Sequence, residues 1–254
     1  MRSDGPLAHA VAEFASLDRV LLASDYDGCV APIVSRPEDA APNPRSVRAL
    51  AEAARLPGVE VALVSGRARA DLASLSGLGD PVILVGSHGA EFDTGFADPV
   101  TADKQALLDR VVADFQALSV RFPGTSVETK PASATLHVRN ASSSDADAAL
   151  ALAAEGPGSW DGVHVTYGKA VIELAVIETS KGHALDRLRE RAGAQAVLYL
   201  GDDITDEKAF AHLTLPGDIS IKVGDGATAA RYRVPGTDDV ADVLDAVVAR
   251  RQNR

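Results

Sequence analysis

One cysteine, one tryptophan and one methionine occur in 254 residues, and aromatic side chains make up only 4% of the chain. The single thiol, Cys29, excludes an internal disulfide framework and fits a reducing compartment, so the cytoplasm is the expected location. Basic residues are scarce beside acidic ones, 25 against 36 for a net charge of -11, which argues against a nucleic acid or an anionic membrane as partner. No apolar run approaches the ~20 residues of a membrane span. The opening Met1-Arg2-Ser3-Asp4-Gly5-Pro6 has no continuous apolar segment of the signal-peptide kind, and no repeat or low-complexity segment occurs. These absences leave a small molecule as the expected partner and a monomer as the favoured state, with oligomerisation open. An anionic substrate would be repelled by the global field, so local cations or a metal are expected wherever one binds.

Aliphatic sequence is plentiful. The chain is 46% hydrophobic, enough for a core of ordinary size, and its length admits one large domain or two modest ones. Short apolar runs at 20–24, 59–65 and 82–86 predict strands, separated by helical patterns at about 44–55 and from about 67. The rhythm returns late, with helices at 182–191, 206–212 and 238–251 and strands at 196–201 and 219–223. Strands that are apolar at consecutive positions predict a parallel sheet with helices on both faces. Between these blocks lie an amphipathic helix at 101–119, strands at 126–130, 134–139, 163–167 and 170–175, and a helix at 145–154 followed by a Gly/Pro-rich break at 155–159. The expected organisation is an α/β core, 1–97 and 176–254, interrupted by a smaller inserted α+β domain, 98–175. The basic end Arg250-Arg251-Gln252-Asn253-Arg254 reads as a fraying helix end with cations at its negative pole.

The first strand stops at Asp25-Tyr26-Asp27-Gly28, two carboxylates spaced i, i+2 that face the same way along an extended backbone. Crowded negative charge calls for a shared proton, a cation or a basic neighbour, although an ordinary Asx turn also fits these residues. In an open parallel sheet ligands gather at the carboxyl ends of the strands. The other strand ends carry Ser65-Gly66-Arg67, Gly86-Ser87-His88-Gly89 and Gly201-Asp202-Asp203-Ile204-Thr205-Asp206-Glu207, with Lys181-Gly182 opening a helix before the last. Several carboxylates at one edge form the hard oxygen environment that Mg prefers, and a hydroxyl, free amides and a lysine complement phosphoryl oxygens. The inventory suits phosphoryl transfer. Taken singly, each residue has a plainer reading: Ser65-Gly66-Arg67 as a helix cap, Lys181 as a solvated lysine, Asp203 and Asp206 as caps of the helix beside them, His88 as a packed turn residue, Trp160 as core and Cys29 as a small packed residue.

Asp25-Tyr26-Asp27-Gly28, Ser65, Lys181-Gly182 and Gly201-Asp202-Asp203 resemble, in order, the four motifs of haloacid-dehalogenase-type phosphatases. The longer strings Asp25-Tyr26-Asp27-Gly28-Cys29-Val30-Ala31-Pro32-Ile33, Val64-Ser65-Gly66-Arg67, Gly89-Ala90-Glu91 and Gly201-Asp202-Asp203-Ile204-Thr205-Asp206-Glu207 are similar to those of trehalose-6-phosphate phosphatases. So are Glu128-Thr129-Lys130, Ser133, His137-Val138-Arg139, Gly168-Lys169 and Glu173 in the middle region, and the likeness runs from about Leu21 to Val223. Cys29 departs from the family, which usually has Thr there.

The resemblance implies a Rossmann-like core with an inserted cap and Mg-dependent hydrolysis of trehalose 6-phosphate. It implies Asp25 as the nucleophile that forms an aspartyl-phosphate and Asp27 as the general acid and base. Asp202, with Asp25 and the Asp27 carbonyl, would hold the metal; Lys181 and Ser65 would stabilise the phosphoryl charge, with Asp203 and Asp206 behind them. Gly66, Arg67, Glu128, Lys130, Arg139, Lys169 and Glu173 would bind substrate, the cap closing over the sugar. In the cap, solvated lysines and arginine with Glu128 and Glu173 as ion-pair partners are the plainer reading. Two other functional readings share these residues: a phosphatase for sucrose or glucosylglycerol phosphate, and a catalytically silent sugar-phosphate-binding regulatory module.

Overall fold

Consecutive apolar positions in a strand need cover on both faces, and the core supplies it. The computed structural model describes residues 5–254, so the reading of the Met1–Pro6 stretch falls largely outside the described residues. The chain runs through α1 (Pro6–Ser16), β1 (Val20–Ser24), α2 (Pro44–Ala53), β2 (Val59–Val64), α3 (Arg69–Ser76), β3 (Ile83–Val85) and β4 (Glu91–Phe92). There follow β5 (Gly95–Phe96), α4 (Ala102–Arg121), β6 (Ser126–Lys130), β7 (Ser133–His137), α5 (Ser143–Glu155), β8 (His164–Gly168) and β9 (Val171–Ala175). It ends with α6 (Lys181–Ala192), β10 (Ala196–Gly201), α7 (Ile204–Phe210), β11 (Ile219–Val223), β12 (Tyr232–Val234) and α8 (Thr237–Gln252).

Two compact units result, Met1–Asp93 with Ser180–Arg254, and Thr94–Thr179. In the first, six parallel strands lie in the order β12-β11-β10-β1-β2-β3. Alternate residues of β1 serve opposite faces: Leu22 packs with Leu63, Leu198, Phe14, Leu50 and Leu244 under α1, α2 and α8, and Leu21 packs with Val64, Val197, Leu185, Leu188 and Phe210 under α6 and α7. Each fully buried leucine contributes about 2 kcal/mol through the apolar surface it removes from water. The register sets Ser24 beside both Leu200 and Leu63, so the residues just beyond, Asp25, Gly201 and Val64-Ser65, emerge at one sheet edge.

The second unit is a four-stranded antiparallel sheet, β6-β7-β9-β8, whose alternation separates its faces. Leu136, Ile172 and Leu174 face α4 and α5, meeting Leu108, Val111, Phe115, Ala149 and Ala153. The opposite face carries Glu128, Thr135 and Glu173 in one row and Lys130 and Ser133 in the next. Trp160 packs against this core beneath the Arg110 guanidinium, 4.3 Å from its ring centre. No helix among the described residues is long and apolar enough to cross a membrane.

Local chemistry moved several boundaries. The helix expected from about 67 begins at Arg69, because the Arg67 amide donates to the Ser65 hydroxyl (3.2 Å) in a turn and leaves the helix to start later. The helix expected at 206–212 begins at Ile204, where Asp203 is its N-cap. Helix α1 and the short strands β4, β5 and β12 add to the elements that the apolar pattern predicts. The C-terminal end also differs from a frayed one: Arg251 is 8% exposed and donates to the carbonyls of Ala15, Leu17, Asp18 and Pro57, joining α8 to the chain segments that precede β1 and β2. Gly58 permits this approach, since at its φ of +72° a Cβ would stand 2.0 Å from the Asp18 carbonyl oxygen. Replacing a charged donor to several carbonyls leaves them short of partners, so Arg251→Ala is expected to lower unfolding free energy by about 3 kcal/mol. Urea denaturation checks this; a loss below about 0.5 kcal/mol would mark the contacts as incidental.

Candidate active site

Asp25 extends β1 by one rung, its N–H donating to the Leu200 carbonyl (2.8 Å), and its side chain is nearly fully buried. One carboxylate oxygen accepts the Tyr26 amide (2.6 Å) and the other accepts Lys181 Nζ (2.6 Å). Lys181, the first residue of α6, is 3% exposed and its ammonium also reaches Asp206 Oδ1 (2.8 Å). Lys181 is therefore no solvated lysine.

Asp206 is completely buried and saturated. Its Oδ1 accepts Lys181 and the Tyr199 hydroxyl (2.6 Å), and its Oδ2 accepts the amides of Asp202 and Asp203 (3.0 Å each). Four donors match the lone-pair capacity of a carboxylate. Asp206 thus closes the capping box of α7 with Asp203 and fixes the loop that carries Asp202. Gly201 leaves room for this, as a Cβ there would lie 2.3 Å from Asp206 Cβ. Gly28, at φ +78°, does the same for Asp202, whose carboxyl carbon would lie 2.2 Å from a Cβ.

Carboxylate oxygens of Asp25, Asp202 and Asp206 lie within 4.8 Å of one another. Burial pushes the Asp25 carboxyl well up, Lys181 opposes, and Asp206 and Asp202 add to the rise. Asp202 is pushed up to about 7, by burial first and then by Asp206. Burial also acts upward on Asp206, but the Lys181 charge and hydrogen bonds hold it below the usual carboxylate range. Lys181 rises: burial lowers it, and Asp206 and Asp25 more than compensate. Asp206 is settled by its donors, so Asp25 and Asp202 are the carboxylates with capacity for a cation. All-oxygen donors of this kind fit a hard divalent ion.

Asp27 and Asp25 point to different partners. Both Asp27 oxygens accept from Arg67, Oδ2 from Nε and Oδ1 from Nη2, each at 2.7 Å. The like charges at i, i+2 are thereby separated, one served by Lys181 and one by Arg67. Ser65 is buried, its amide bonded to the Val85 carbonyl (2.9 Å), and Gly66 accommodates the His88 ring, which a Cβ would approach to 2.4 Å. His88 itself occupies a left-handed turn position, φ 52°. Cys29 is wholly buried with Tyr26 and Val30, and burial, with the nearby carboxylates adding, pushes its thiol well up, so it is a small packed residue. Tyr199 went unnoticed in the sequence; the signal was a phenol inside a buried strand, which needs a polar partner.

In the second unit the polar sheet face gathers Glu128, Lys130, Ser133, His137 and Glu173. Lys130 Nζ lies 2.9 Å from Glu173 Oε2, Ser133 donates to Glu173 Oε1 (2.7 Å), and His137 Nε2 lies 2.8 Å from Glu128 Oε2. The His137 hydrogen bond holds Glu128 below the usual carboxylate range against burial. Lys130 and Glu173 are buried. Arg139 and Lys169 are exposed beyond the strand ends, Arg139 after β7 and Lys169 in the β8–β9 turn.

A family model described as trehalose-phosphatase matches residues 23–238. The chain is 30% identical over 235 residues to the trehalose-6-phosphate phosphatase of Escherichia coli K12, covering 91% of this chain and 87% of that one. It is 36% identical over 234 residues to the trehalose-phosphate phosphatase of Mycobacterium marinum, covering 86% of this chain and spanning 58% of that protein's length. The C-terminal domain of a C. albicans trehalose-6-phosphate phosphatase shares the fold, with a TM-score of 0.84 at 23% identity over 96% of this chain and 97% of that one. A parallel sheet with this carboxylate–lysine edge defines the class, a haloacid-dehalogenase-type phosphatase. Within it, matched over most of its length by the family model and by the E. coli relative, the chain belongs to the trehalose-phosphatase family.

A cation held by Asp202 would displace a proton at and below about pH 7, because burial and Asp206 push that carboxyl up to about 7 and only its ionised form is a ligand. Divalent-cation affinity is therefore expected to fall roughly tenfold per pH unit below about 7 and to level off above it. Isothermal titration of the substrate-free protein between pH 5.5 and 8 measures this, and a flat profile would remove Asp202 from the ligand set.

Proposed function

We propose that this protein hydrolyses trehalose 6-phosphate to trehalose and inorganic phosphate through an aspartyl-phosphate on Asp25. The observation that carries the reading is Asp25 at the sheet edge, fixed by Lys181 and the Tyr26 amide beside a second ionisable carboxylate, Asp202. Membership of the trehalose-phosphatase family supports the substrate.

The free lone pairs of the Asp25 carboxylate attack phosphorus, and the bond from phosphorus to the sugar oxygen breaks with its electron pair on that oxygen. Asp27 gives the oxygen a proton. A water then attacks the aspartyl-phosphate, losing a proton to Asp27, and the acyl-phosphate bond breaks to return Asp25 as carboxylate and release phosphate. Lys181 and Ser65 stabilise charge on the equatorial oxygens. Asp25, Asp202 and the Asp27 carbonyl would hold Mg, which supplies charge neutralisation at the phosphoryl group. Asp206 holds Lys181 and the Asp202 loop in place, with Asp203 at the helix cap. Gly66 belongs to the phosphate end, and Arg67 stands beside it with its guanidinium on Asp27. On the second unit Glu128, Lys130 and Glu173, with Arg139 and Lys169 at the margins, are the sugar-binding groups, since adjacent hydroxyls need charged partners of fixed geometry. The residues assigned to Asp93 and earlier or Ser180 and later form the phosphatase core, and the inserted unit acts as the specificity cap.

Phosphate release from a panel of sugar phosphates tests this. Trehalose 6-phosphate is expected to exceed glucose 6-phosphate and sucrose 6-phosphate by at least about 100-fold in kcat/KM, with activity lost in EDTA and restored by Mg. Equal rates across the panel would reject the substrate, and preference for sucrose or glucosylglycerol phosphate would reassign it. Asp25→Asn is expected to lose at least about 1000-fold in kcat while still binding ligand; unchanged turnover would reject the nucleophile, and wild-type protein that binds without turnover would be the silent regulatory module.

A further inference from the structure

We infer that Arg67 acts through Asp27: it is the positioning residue that aims the Asp27 carboxyl at the leaving oxygen. This inference rests on the phosphatase reading above, in which Asp27 handles the proton. A phosphate-binding arginine directs its parallel N–H fork at the phosphoryl oxygens. Here that fork is engaged with Asp27, Nε with Oδ2 and Nη2 with Oδ1, both at 2.7 Å.

The guanidinium is itself anchored. Nη2 also donates to the Pro37 carbonyl (2.9 Å), the guanidinium carbon lies 5.6 Å from the Tyr26 ring centre, and the side chain is only 13% exposed. Tyr26 is in turn fixed by its hydroxyl on the Ala40 carbonyl (2.7 Å), and the Arg67 amide is held by the Ser65 hydroxyl (3.2 Å). A fork fixed at its base sets both the rotamer and the plane of the carboxylate it grips. Two of the four lone-pair positions of Asp27 are taken by the fork, and the remaining two are left for proton traffic. Lysine cannot reproduce this, because an ammonium is a point charge without a planar fork.

The consequence is a dependence on the leaving group. When the sugar oxygen departs from phosphorus it takes the bond's electron pair and needs a proton from Asp27; p-nitrophenolate departs from p-nitrophenyl phosphate as a stable anion and needs none. kcat/KM reports the steps up to that bond cleavage, so it isolates the acid step from the later attack of water. Arg67→Lys and Arg67→Ala are expected to lower kcat/KM for trehalose 6-phosphate by about 30-fold or more while changing that for p-nitrophenyl phosphate less than about 3-fold, a fraction of the 100- to 10000-fold that a general acid supplies. Asp27→Asn should show the same selectivity, and the double variant Asp27→Asn/Arg67→Lys should be no worse than Asp27→Asn alone. A first-turnover burst of p-nitrophenolate, which precedes the attack of water and so needs no base, reports an intact site in each variant.

Equal losses on both substrates, recovery by Lys, or additive losses in the double variant would overturn the inference and leave Arg67 as a phosphate ligand. If Asp27→Asn lacks the leaving-group selectivity, the acid role of Asp27 fails and this inference falls with it. If wild-type protein hydrolyses p-nitrophenyl phosphate but no sugar phosphate, the substrate assignment fails, and the double-variant cycle still decides, with aryl phosphates of increasingly basic leaving groups in place of the sugar ester.

Discussion

The site is organised around one buried ammonium. Lys181 stands between Asp25 and Asp206, 2.6 Å and 2.8 Å from their oxygens, at a sheet edge where a third carboxylate, Asp202, lies within reach of both. A lone charge in such a place is costly, and removing one member of a buried pair leaves the other uncompensated. One lysine cannot balance three carboxylates. The structure resolves this unevenly: Asp206 takes the full complement of donors and stays low, whereas Asp25 and Asp202 are pushed upward. The imbalance singles out the two carboxylates that a divalent cation would relieve, and assigns the third to support.

The fold follows from keeping that arrangement rigid. Parallel register sets the ends of β1, β2 and β10 side by side, so residues far apart in sequence share one edge without long loops. Close approach then depends on missing side chains, Gly28 against Asp202 and Gly201 against Asp206. Behind them Tyr199 and the Asp203 cap hold Asp206, which holds both the lysine and the loop. Asp27 lies outside this buried set and is controlled separately by Arg67. The two aspartates at i, i+2 thus answer to different cations, which lets them do the different work proposed for them, attack and proton transfer.

Much of this was legible because it is local or periodic. The parallel core announced itself in unbroken apolar runs such as 196–201, and the second sheet in alternation at 126–130, since burial on two faces or one dictates those patterns. The aspartates, Ser65 and Lys181 were visible as polar residues at strand and helix ends. What sequence could not express was pairing across long separations. Arg67 grips a carboxylate forty residues away, Lys181 one that lies 156 residues away, and Arg251 binds carbonyls near the other end of the chain. Asp206 reads equally as a cap or a metal residue in the sequence, which cannot show the four donors that converge on it. Arg139 and Lys169 stand just past the ends of β7 and β8 and are exposed, and no strand pairing fixes them as it fixes Glu128 and Glu173.

The central claim is that phosphate passes through Asp25. Rapid acid quench of the protein with phosphate-labelled trehalose 6-phosphate, within the first turnover, measures it directly. The expected result is hydroxylamine-labile label, approaching one equivalent when water attack is the slower step, on the peptide that contains Asp25 and absent in Asp25→Asn. Label on any other residue, or full turnover in the variant, would contradict it.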